Sequence, residues 1–369
     1  MMLWKRQTAE TVTASVRLEP GRAEISLGSR SFQIVGPRTG DREREDIDFA
    51  LYGLAVIAMT HNVQISLDGP VTESALVQLR KLGNIWQRWT PRKVYPLKIE
   101  PSAIIGEDNI ERRGGMLCMS GGVDSTYAAL RASQDYGFSH ALLIGGADYM
   151  DPEGPGFREL KQRVANLSAM AGLELTTVAT NLKKLRIRWG LFHTLLLAMC
   201  LRYAGRGLGF GGWAADYTDF EAFMSHPWGN NRIVASLIGT PGFHIHYLGA
   251  EVGRSKKVRS IIADSRPLIE HVSVCYSDSS SGGNCGKCEK CLRTRLNIAT
   301  ASSEMPHLFK ENNNLLNEVK RMGIPRRRQD RNVAALRMSD IYFDLPEGEL
   351  RDAVGRYLKR LARPRGGRL

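Results

Sequence analysis

The stretch MSGGVDSTYAAL, residues 119–130, places two adjacent glycines directly after an apolar run and directly before a helical pattern. Glycine lets the backbone approach an anion closely, and a helix N terminus offers free N–H groups with a favourable dipole. A Walker phosphate loop requires the pattern GxxxxGK[ST], and no lysine stands at that place here. The stretch therefore predicts a different phosphate loop, made of Ser120, Gly121, Gly122, Val123, Asp124 and Ser125.

Asp124 is the unusual member of this loop. A carboxylate repels phosphate unless it binds a magnesium ion or orients the loop. Ser120 and Ser125 add hydroxyl groups that can donate to an anion. The alternative interpretation is an ordinary Gly-Gly turn with an aspartate at the start of a helix.

The chain alternates strand and helix patterns from Met116 onward, and the loop follows the first of these strands. This order predicts an α/β fold with a doubly wound, mainly parallel sheet that binds ligands at the carboxyl ends of its strands. Before it, residues 12–36 alternate in polarity as in two or three antiparallel strands, and helical patterns follow. We expect three parts: a small α+β domain over 1–112, the sheet domain over 113–304 and a basic helical segment over 305–369.

Charge and hydropathy indicate which partners and which compartment the protein is expected to have. The 369 residues carry a formal net charge of +13, much of it in the stretches IPRRRQDR and RYLKRLARPRGGRL near the end. Such a tail is typical of a solvated segment or of binding to a polyanion such as nucleic acid. No run of about 18 apolar residues occurs, and the first residues lack the apolar centre of a signal peptide. We therefore expect a cytoplasmic protein with no membrane partner.

Four of the six cysteines cluster, at the spacing C-x9-C-x2-C-x2-C. These are Cys275, Cys285, Cys288 and Cys291, and four thiolates suit a closed tetrahedral zinc site that contributes folding energy. An iron–sulfur cluster is the rival interpretation, since it also uses closely spaced cysteines. Cys118 and Cys200 lie in apolar surroundings and are expected to be packed core thiols.

The motif SGGxDS after a strand resembles the PP-loop of the ATP pyrophosphatases, enzymes that cleave ATP between its α and β phosphates. Together with the cysteine spacing, it makes residues 113–304 similar to the 7-cyano-7-deazaguanine synthases, the QueC-like enzymes. The resemblance implies that ATP with Mg²⁺ activates the carboxylate of 7-carboxy-7-deazaguanine by adenylation, after which an amine displaces AMP. It also implies that the four cysteines hold Zn²⁺ and that the glycine loop holds the leaving pyrophosphate, with Asp124 and Ser125 as its catalytic members.

Two further segments resemble parts of this family. GGWAADYTDF, residues 211–220, is similar to the stretch on the substrate side, which implies that Asp216, Tyr217 and Thr218 bind the base. A carboxylate there would accept the N–H donors of a guanine-like ring, although Asp216 could equally be a turn residue. GRSKKVRSII, residues 253–262, resembles a basic turn before a helix and makes Lys256 a candidate phosphate ligand; its alternative is an exposed lysine.

The chain also departs from the family pattern. The Pro-Asp-Cys stretch after the substrate acid is replaced by FEAFMSHPW, and the stretch after the second strand is replaced by GGADYMDPEGPG. With the added N-terminal region and basic tail, these departures leave the amine acceptor open, and we expect an amine on a protein or nucleic acid. The alternatives are an ordinary nitrile synthase that uses ammonia, a tRNA thiolation enzyme, and a non-catalytic nucleotide-binding module. The added domain could instead serve a homodimer.

Overall fold

The computed structural model describes residues 10–39, 45–91, 93–107, 112–224, 228–264, 266–275 and 283–363. The strands formed by these residues are β1 (Glu10–Glu19), β2 (Arg22–Leu27), β3 (Arg30–Val35), β4 (Val63–Thr72), β5 (Ile99–Ile105), β6 (Gly115–Cys118), β7 (Phe138–Gly145), β8 (Glu174–Thr180), β9 (Phe210–Ala214) and β10 (His244–Leu248). They lie in one sheet of ten strands in the order β10-β9-β6-β7-β8-β3-β2-β1-β4-β5.

The helices in the first two thirds of the chain are α1 (Asp48–His61), α2 (Glu73–Trp89), α3 (Val123–Tyr136), α4 (Pro155–Met170), α5 (Trp189–Ala204), α6 (Asp219–Met224) and α7 (Arg232–Ile238). The later helices are α8 (Arg254–Asp264), α9 (Arg266–His271), α10 (Glu289–Ala299), α11 (Leu315–Arg321), α12 (Arg328–Asp344) and α13 (Glu349–Ala362). Within the described part of the chain, no helix has the length and apolar character that a membrane crossing requires.

The sheet is mostly parallel, as the alternation of strands and helices predicts. All pairings among β6, β7, β8, β9 and β10 are parallel, and so are those of β4 with β1 and β5. β1, β2 and β3 form the antiparallel meander predicted from residues 12–36. β3 then pairs antiparallel with β8, which joins the meander to the parallel strands.

Helices cover both faces of the parallel strands. Successive residues of a strand point to opposite faces, and Met116 belongs to one buried apolar cluster while Leu117 belongs to another. The first cluster includes residues of α1, α2, α5 and α7, and the second includes residues of α3, α4, α8 and α10. The sheet is therefore buried on both sides, which explains why β6 and β7 read as nearly continuous apolar runs.

The structure adds a connection that the predicted division at residue 112 did not include. Ile34 and Val35 of β3 pair with Thr180 and Ala179 of β8, and one apolar cluster contains residues from both sides of residue 112. The division into domains over 1–112, 113–304 and 305–369 stays a prediction. What the structure shows is a single sheet and a shared core across the first of these boundaries.

The basic C-terminal segment is helical, as predicted, but most of it is not a solvated tail. α11, α12 and α13 pack around a third apolar cluster, which also includes Leu296 of α10. Val354 and Ile341 in this cluster are fully buried. The prediction of a solvated segment overlooked the apolar residues that alternate with the arginines on these helices. The last residues, 364–369, lie outside the described part of the chain.

Candidate functional site

The glycine loop lies where the motif predicts, between the end of β6 and the start of α3. Gly121 has a φ of +75°, and a Cβ atom there would lie 2.9 Å from Cγ2 of Val164, so the position requires glycine. Ser125 Oγ donates to Gly122 O at 3.1 Å and lies 3.2 Å from Ser120 Oγ. These contacts fix a turn at the helix N terminus, where the first backbone N–H groups have no helical partner.

Asp124 is held by two cations rather than standing free as a magnesium ligand would. Arg254 donates to one carboxylate oxygen, and Lys257 Nζ lies 3.1 Å from the other. Burial opposes the ionisation of Asp124, but these two charges outweigh burial and lower its pKa. Lys257 Nζ also donates to Ala215 O at 2.7 Å, which ties the loop to the end of β9. Of the two roles open to Asp124, orientation of the loop is the one these contacts favour.

Lys256, the candidate phosphate ligand, has the position that its alternative interpretation, an exposed lysine, predicts. It is exposed and does not line the cavity, whereas Arg254 and Lys257 of the same helix face Asp124. In an α-helix, residues three apart share a face, and the residue between them points elsewhere. Because α8 begins at Arg254, the cations of this stretch that contact the loop are Arg254 and Lys257, and Lys257 has only 2% of its side chain exposed.

A cavity of about 360 Å³ opens beside the loop, at the carboxyl ends of the parallel strands. Four members of the loop line this cavity: Ser120, Gly122, Asp124 and Ser125. Gly121 and Val123 support the turn but are not among its lining residues. The other walls are mixed, with cationic side chains from α8, α10 and α12 and aromatic side chains from β9 and α5.

The cationic wall consists of Arg254, Lys290, Arg293 and Arg337. Burial, followed by the neighbouring Arg254 and Arg337, lowers the pKa of Arg293 to about 10. Burial also lowers the pKa of Lys290 to about 8, against the attraction of Asp148. Cations whose ionisation is penalised by burial and by each other favour an anionic ligand, because a bound anion relieves both effects.

Arg337 comes from α12, in the segment that the sequence analysis interpreted as a tail. Its guanidinium donates to the hydroxyl of Tyr217 at 3.2 Å and lies 3.5 Å from Oε1 of Glu289. One turn further along α12, Asp340 Oδ2 accepts from the backbone N and from Oγ of Ser255, both at 2.9 Å. The C-terminal helices are thus attached to α8 and complete the cavity.

The three residues predicted to bind the base have separate positions. Asp216 lines the cavity, and its carboxylate accepts from Trp228 Nε1 at 2.8 Å and from Asn230 Nδ2 at 2.9 Å. Burial, followed by repulsion from Asp124, raises the pKa of Asp216 to about 6. Tyr217 and Thr218 are not among the residues that line the cavity, and their contact with the base stays a prediction.

Thr218 caps a short helix instead of facing a ligand. Its backbone N and Oγ1 donate to Glu221 Oε2 at 2.7 and 2.9 Å, and Glu221 N donates back to Thr218 Oγ1 at 3.1 Å. This reciprocal pattern is a capping box at the start of α6. Tyr217 contacts Arg337, which lines the cavity, as described above.

The four cysteines meet in space as their spacing predicts. The Sγ atoms of Cys275, Cys285, Cys288 and Cys291 all lie within 4.8 Å of one another, and all four thiols are free of disulfide bonds. Two Sγ pairs are 3.9 Å apart, and a tetrahedral zinc ion with Zn–S bonds of about 2.3 Å would place its sulfurs about 3.8 Å apart. The cluster therefore fits a metal such as zinc.

Asn284 is a structural residue of this cluster that the sequence analysis missed. It is fully buried, and its Oδ1 accepts from the backbone N of Val274 at 2.8 Å and of Cys275 at 3.3 Å. Its Nδ2 donates to Val272 O at 2.8 Å. This side chain holds the segment of the first cysteine against the segment of the other three.

Residues on both sides of the cysteine cluster in the sequence line the cavity. Ser273 and Val274, which directly precede the first cysteine, line the cavity. Cys288 is the N-cap of α10, the helix that carries Lys290 and Arg293 into the cationic wall. A metal bound here would fix the orientation of that helix, so the cluster supports the cavity without entering it.

Comparisons with known proteins give no independent identification. No protein-family model matches the chain, and no curated protein matches it. The resemblance to the 7-cyano-7-deazaguanine synthases therefore depends on the glycine loop, the cysteine spacing and the two shorter segments.

Proposed function

We propose that the protein is an ATP-dependent ligase that forms an adenylate and releases AMP and pyrophosphate. The observation that carries this proposal is the position of the SGGVDS loop, at a helix N terminus and on the wall of a cavity with four cationic side chains. A triphosphate is the polyanion that such a site and the PP-loop resemblance both favour. The same resemblance supports a PP-loop fold for the sheet around the cavity.

The orientation of ATP is proposed from the positions of the glycine loop and of Asp216 on the wall of the cavity. The β and γ phosphates would contact the loop and the cations of α10 and α12, with Mg²⁺ supplying charge neutralisation where the phosphates need it. Asp216 lies at another wall, and the PP-loop members resembling this chain place the acid to be activated on that side. The carboxylate of the substrate acid would attack the α phosphate in line and displace pyrophosphate, a step that depends mainly on positioning.

By resemblance, the acid is 7-carboxy-7-deazaguanine, and Zn²⁺ is the metal of the cysteine cluster. The amine acceptor is proposed to be a macromolecule. The observation favouring it is an apolar surface on α6, which begins at Asp219, close in sequence to Asp216. On this helix Phe220, Phe223 and Met224 are 71, 87 and 57% exposed. Ammonia needs no docking surface, whereas a macromolecule does.

A thiolation reaction is less well supported. Cys118 lines the cavity, but burial raises the pKa of its thiol, which disfavours the thiolate that a sulfur relay would need. The four clustered cysteines surround one point and are suited to holding a metal.

The experiment is to incubate the protein with ATP, Mg²⁺ and 7-carboxy-7-deazaguanine and to measure AMP and pyrophosphate by chromatography and mass spectrometry. We expect both products to require the carboxylate. ADP and phosphate in their place would contradict adenylation. Addition of ammonia then separates the acceptors: efficient formation of 7-cyano-7-deazaguanine from free ammonia would overturn the macromolecular acceptor.

A further inference from the structure

Three aromatic rings line the cavity in a row on the side of Asp216. Trp189 and His193 lie one turn apart on α5, with ring centroids 5.6 Å apart, and Trp228 packs against His193 with centroids 4.9 Å apart. All three line the cavity. We call Trp189, His193 and Trp228 the aromatic wall.

The proton on His193 can be assigned from its contacts. Nδ1 lies 2.9 Å from the backbone oxygen of Trp189, and a carbonyl only accepts hydrogen bonds, so Nδ1 carries the proton. Burial lowers the pKa of His193 to about 4, which keeps the ring neutral near pH 7. Nε2 is then an acceptor, and no described residue donates to it. Because Nδ1 turns back toward the helix, Nε2 lies at the far end of the ring.

Trp228 is fixed by hydrogen bonds. Its Nε1 donates to Asp216 at 2.8 Å, and Asp216 also accepts from Asn230. Asn230 is held in turn by Trp213 Nε1, which donates to its Oδ1 at 3.0 Å. The carboxylate of Asp216 also accepts from its own backbone N–H, and these three bonds leave it one lone pair for a further donor. The wall is thus a rigid aromatic surface flanked by two acceptors, Nε2 of His193 and the Asp216 carboxylate.

We infer that the aromatic wall binds a planar heterocycle that presents N–H donors, with His193 Nε2 accepting from one of them. The rings are tilted by 37° and 43° to their neighbours, and such aromatic side chains favour planar rings through offset or edge contacts. A site that offers acceptors rejects rings whose donors are missing. The inference rests on the proposed function, because it takes this cavity as the substrate site. It adds that His193 recognises the hydrogen-bonding edge of the substrate ring. Trp228 belongs to FEAFMSHPW, where the chain departs from the family pattern, so the resemblance does not imply this wall.

The test is a binding titration without ATP, followed by the quenching of tryptophan fluorescence and by calorimetry. The probes are 7-deazaguanine and the same ring with its N–H groups methylated. We expect the intact protein to prefer 7-deazaguanine at least about 10-fold, the value of one hydrogen bond of roughly 1.4 kcal/mol. His193→Phe keeps an aromatic ring and removes the acceptor, so it should lose the part of the preference that His193 supplies and keep only the part that Asp216 supplies.

Two further variants separate recognition from folding. His193→Gln retains an acceptor oxygen and should restore part of the preference, which a purely structural role would not predict. His244→Phe makes the same type of change at an exposed histidine of β10 and should leave the preference intact.

The inference is overturned if the intact protein binds both probes equally, if it binds neither probe, or if His193→Phe keeps the full preference of the intact protein. These readouts are independent of AMP formation. A protein that discriminates the probes but makes no AMP would contradict the proposed function and leave the aromatic wall supported.

Discussion

Arg202 of α5 and Asp48 of α1 form a buried ion pair between the first part of the chain and the parallel strands. Their side chains are 2% and 0% exposed, and the guanidinium lies 2.7 Å from Oδ2 of Asp48. Asp48 also accepts from Thr72, from the backbone N at 2.8 Å and from Oγ1 at 2.6 Å. We predict that Arg202→Leu strongly lowers the free energy of unfolding, because it leaves a buried carboxylate without its charge partner.

The size of the effect follows from the burial of both groups. Removal of one member of a buried ion pair costs about 3–5 kcal/mol. Burial already raises the pKa of Asp48 to about 6, against the attraction of Arg202. Without Arg202 this pKa rises further, so the folded variant binds a proton that the unfolded chain does not hold above pH 6. Its stability relative to the intact protein should therefore fall as pH rises above 6, by up to about 1.4 kcal/mol per pH unit.

The assay is urea denaturation followed by circular dichroism and tryptophan fluorescence at pH 6 and pH 8. Arg17→Leu, at an arginine with 78% of its side chain exposed, is the matched control and should leave the midpoint unchanged. Asp48→Asn combined with Arg202→Leu removes both charges and should abolish the added pH dependence. A loss below about 1 kcal/mol at pH 8, where breaking a buried pair costs about 3–5 kcal/mol, would refute this reasoning. An equal loss at both pH values would refute it as well.

Three other predictions concern the cavity and the metal. Metal analysis of the purified protein should find about one zinc ion per chain, and iron with labile sulfide would contradict this assignment. Cys288→Ser should lose the metal and become insoluble. Ser125→Ala should abolish AMP release and lower the melting temperature only slightly, because the variant loses one hydrogen bond at a helix start; full turnover would count against the PP-loop. Lys257→Met should abolish AMP release, whereas Lys256→Met, at an exposed residue of the same helix, should retain it. Equal rates in the two variants would contradict a role of Lys257 at the loop.

Local sequence patterns were sufficient for the elements that carry the loop and the cluster. The strand, the two glycines and the helix from Met116 to Tyr136 are contiguous, so their order alone predicts the turn. The four cysteines also lie close together in the sequence, between residues 275 and 291. The spacing of two residues allows neighbouring thiols to converge, and the structure adds the buried amide of Asn284 that brings Cys275 to them.

The parts of the site that come from distant segments could not be predicted in this way. Trp189 and His193 stand at helical spacing in the sequence, but their partner Trp228 becomes recognisable only through the fold. Arg337 lies in a segment with many arginines, most of which are exposed, and the sequence alone does not show which of them faces the cavity. The choice between Lys256 and Lys257 depends on the residue at which α8 begins, and helix boundaries are the least reliable feature of a sequence pattern.

The four cations of the cavity repel one another, so each needs an anchor outside the cavity. Lys290 and Arg293 lie on the helix that begins at the cysteine cluster, Arg254 is held by Asp124, and Arg337 is held by Glu289 and Tyr217. In this arrangement the cysteine cluster and the C-terminal helices hold the four positive charges close together despite their mutual repulsion. A bound polyanion removes the repulsion, so the ligand should stabilise the whole fold. At a concentration 100 times its dissociation constant, ATP should add about 2.7 kcal/mol to the free energy of unfolding. An uncharged nucleoside should add far less at the same concentration, because it leaves the cations unpaired.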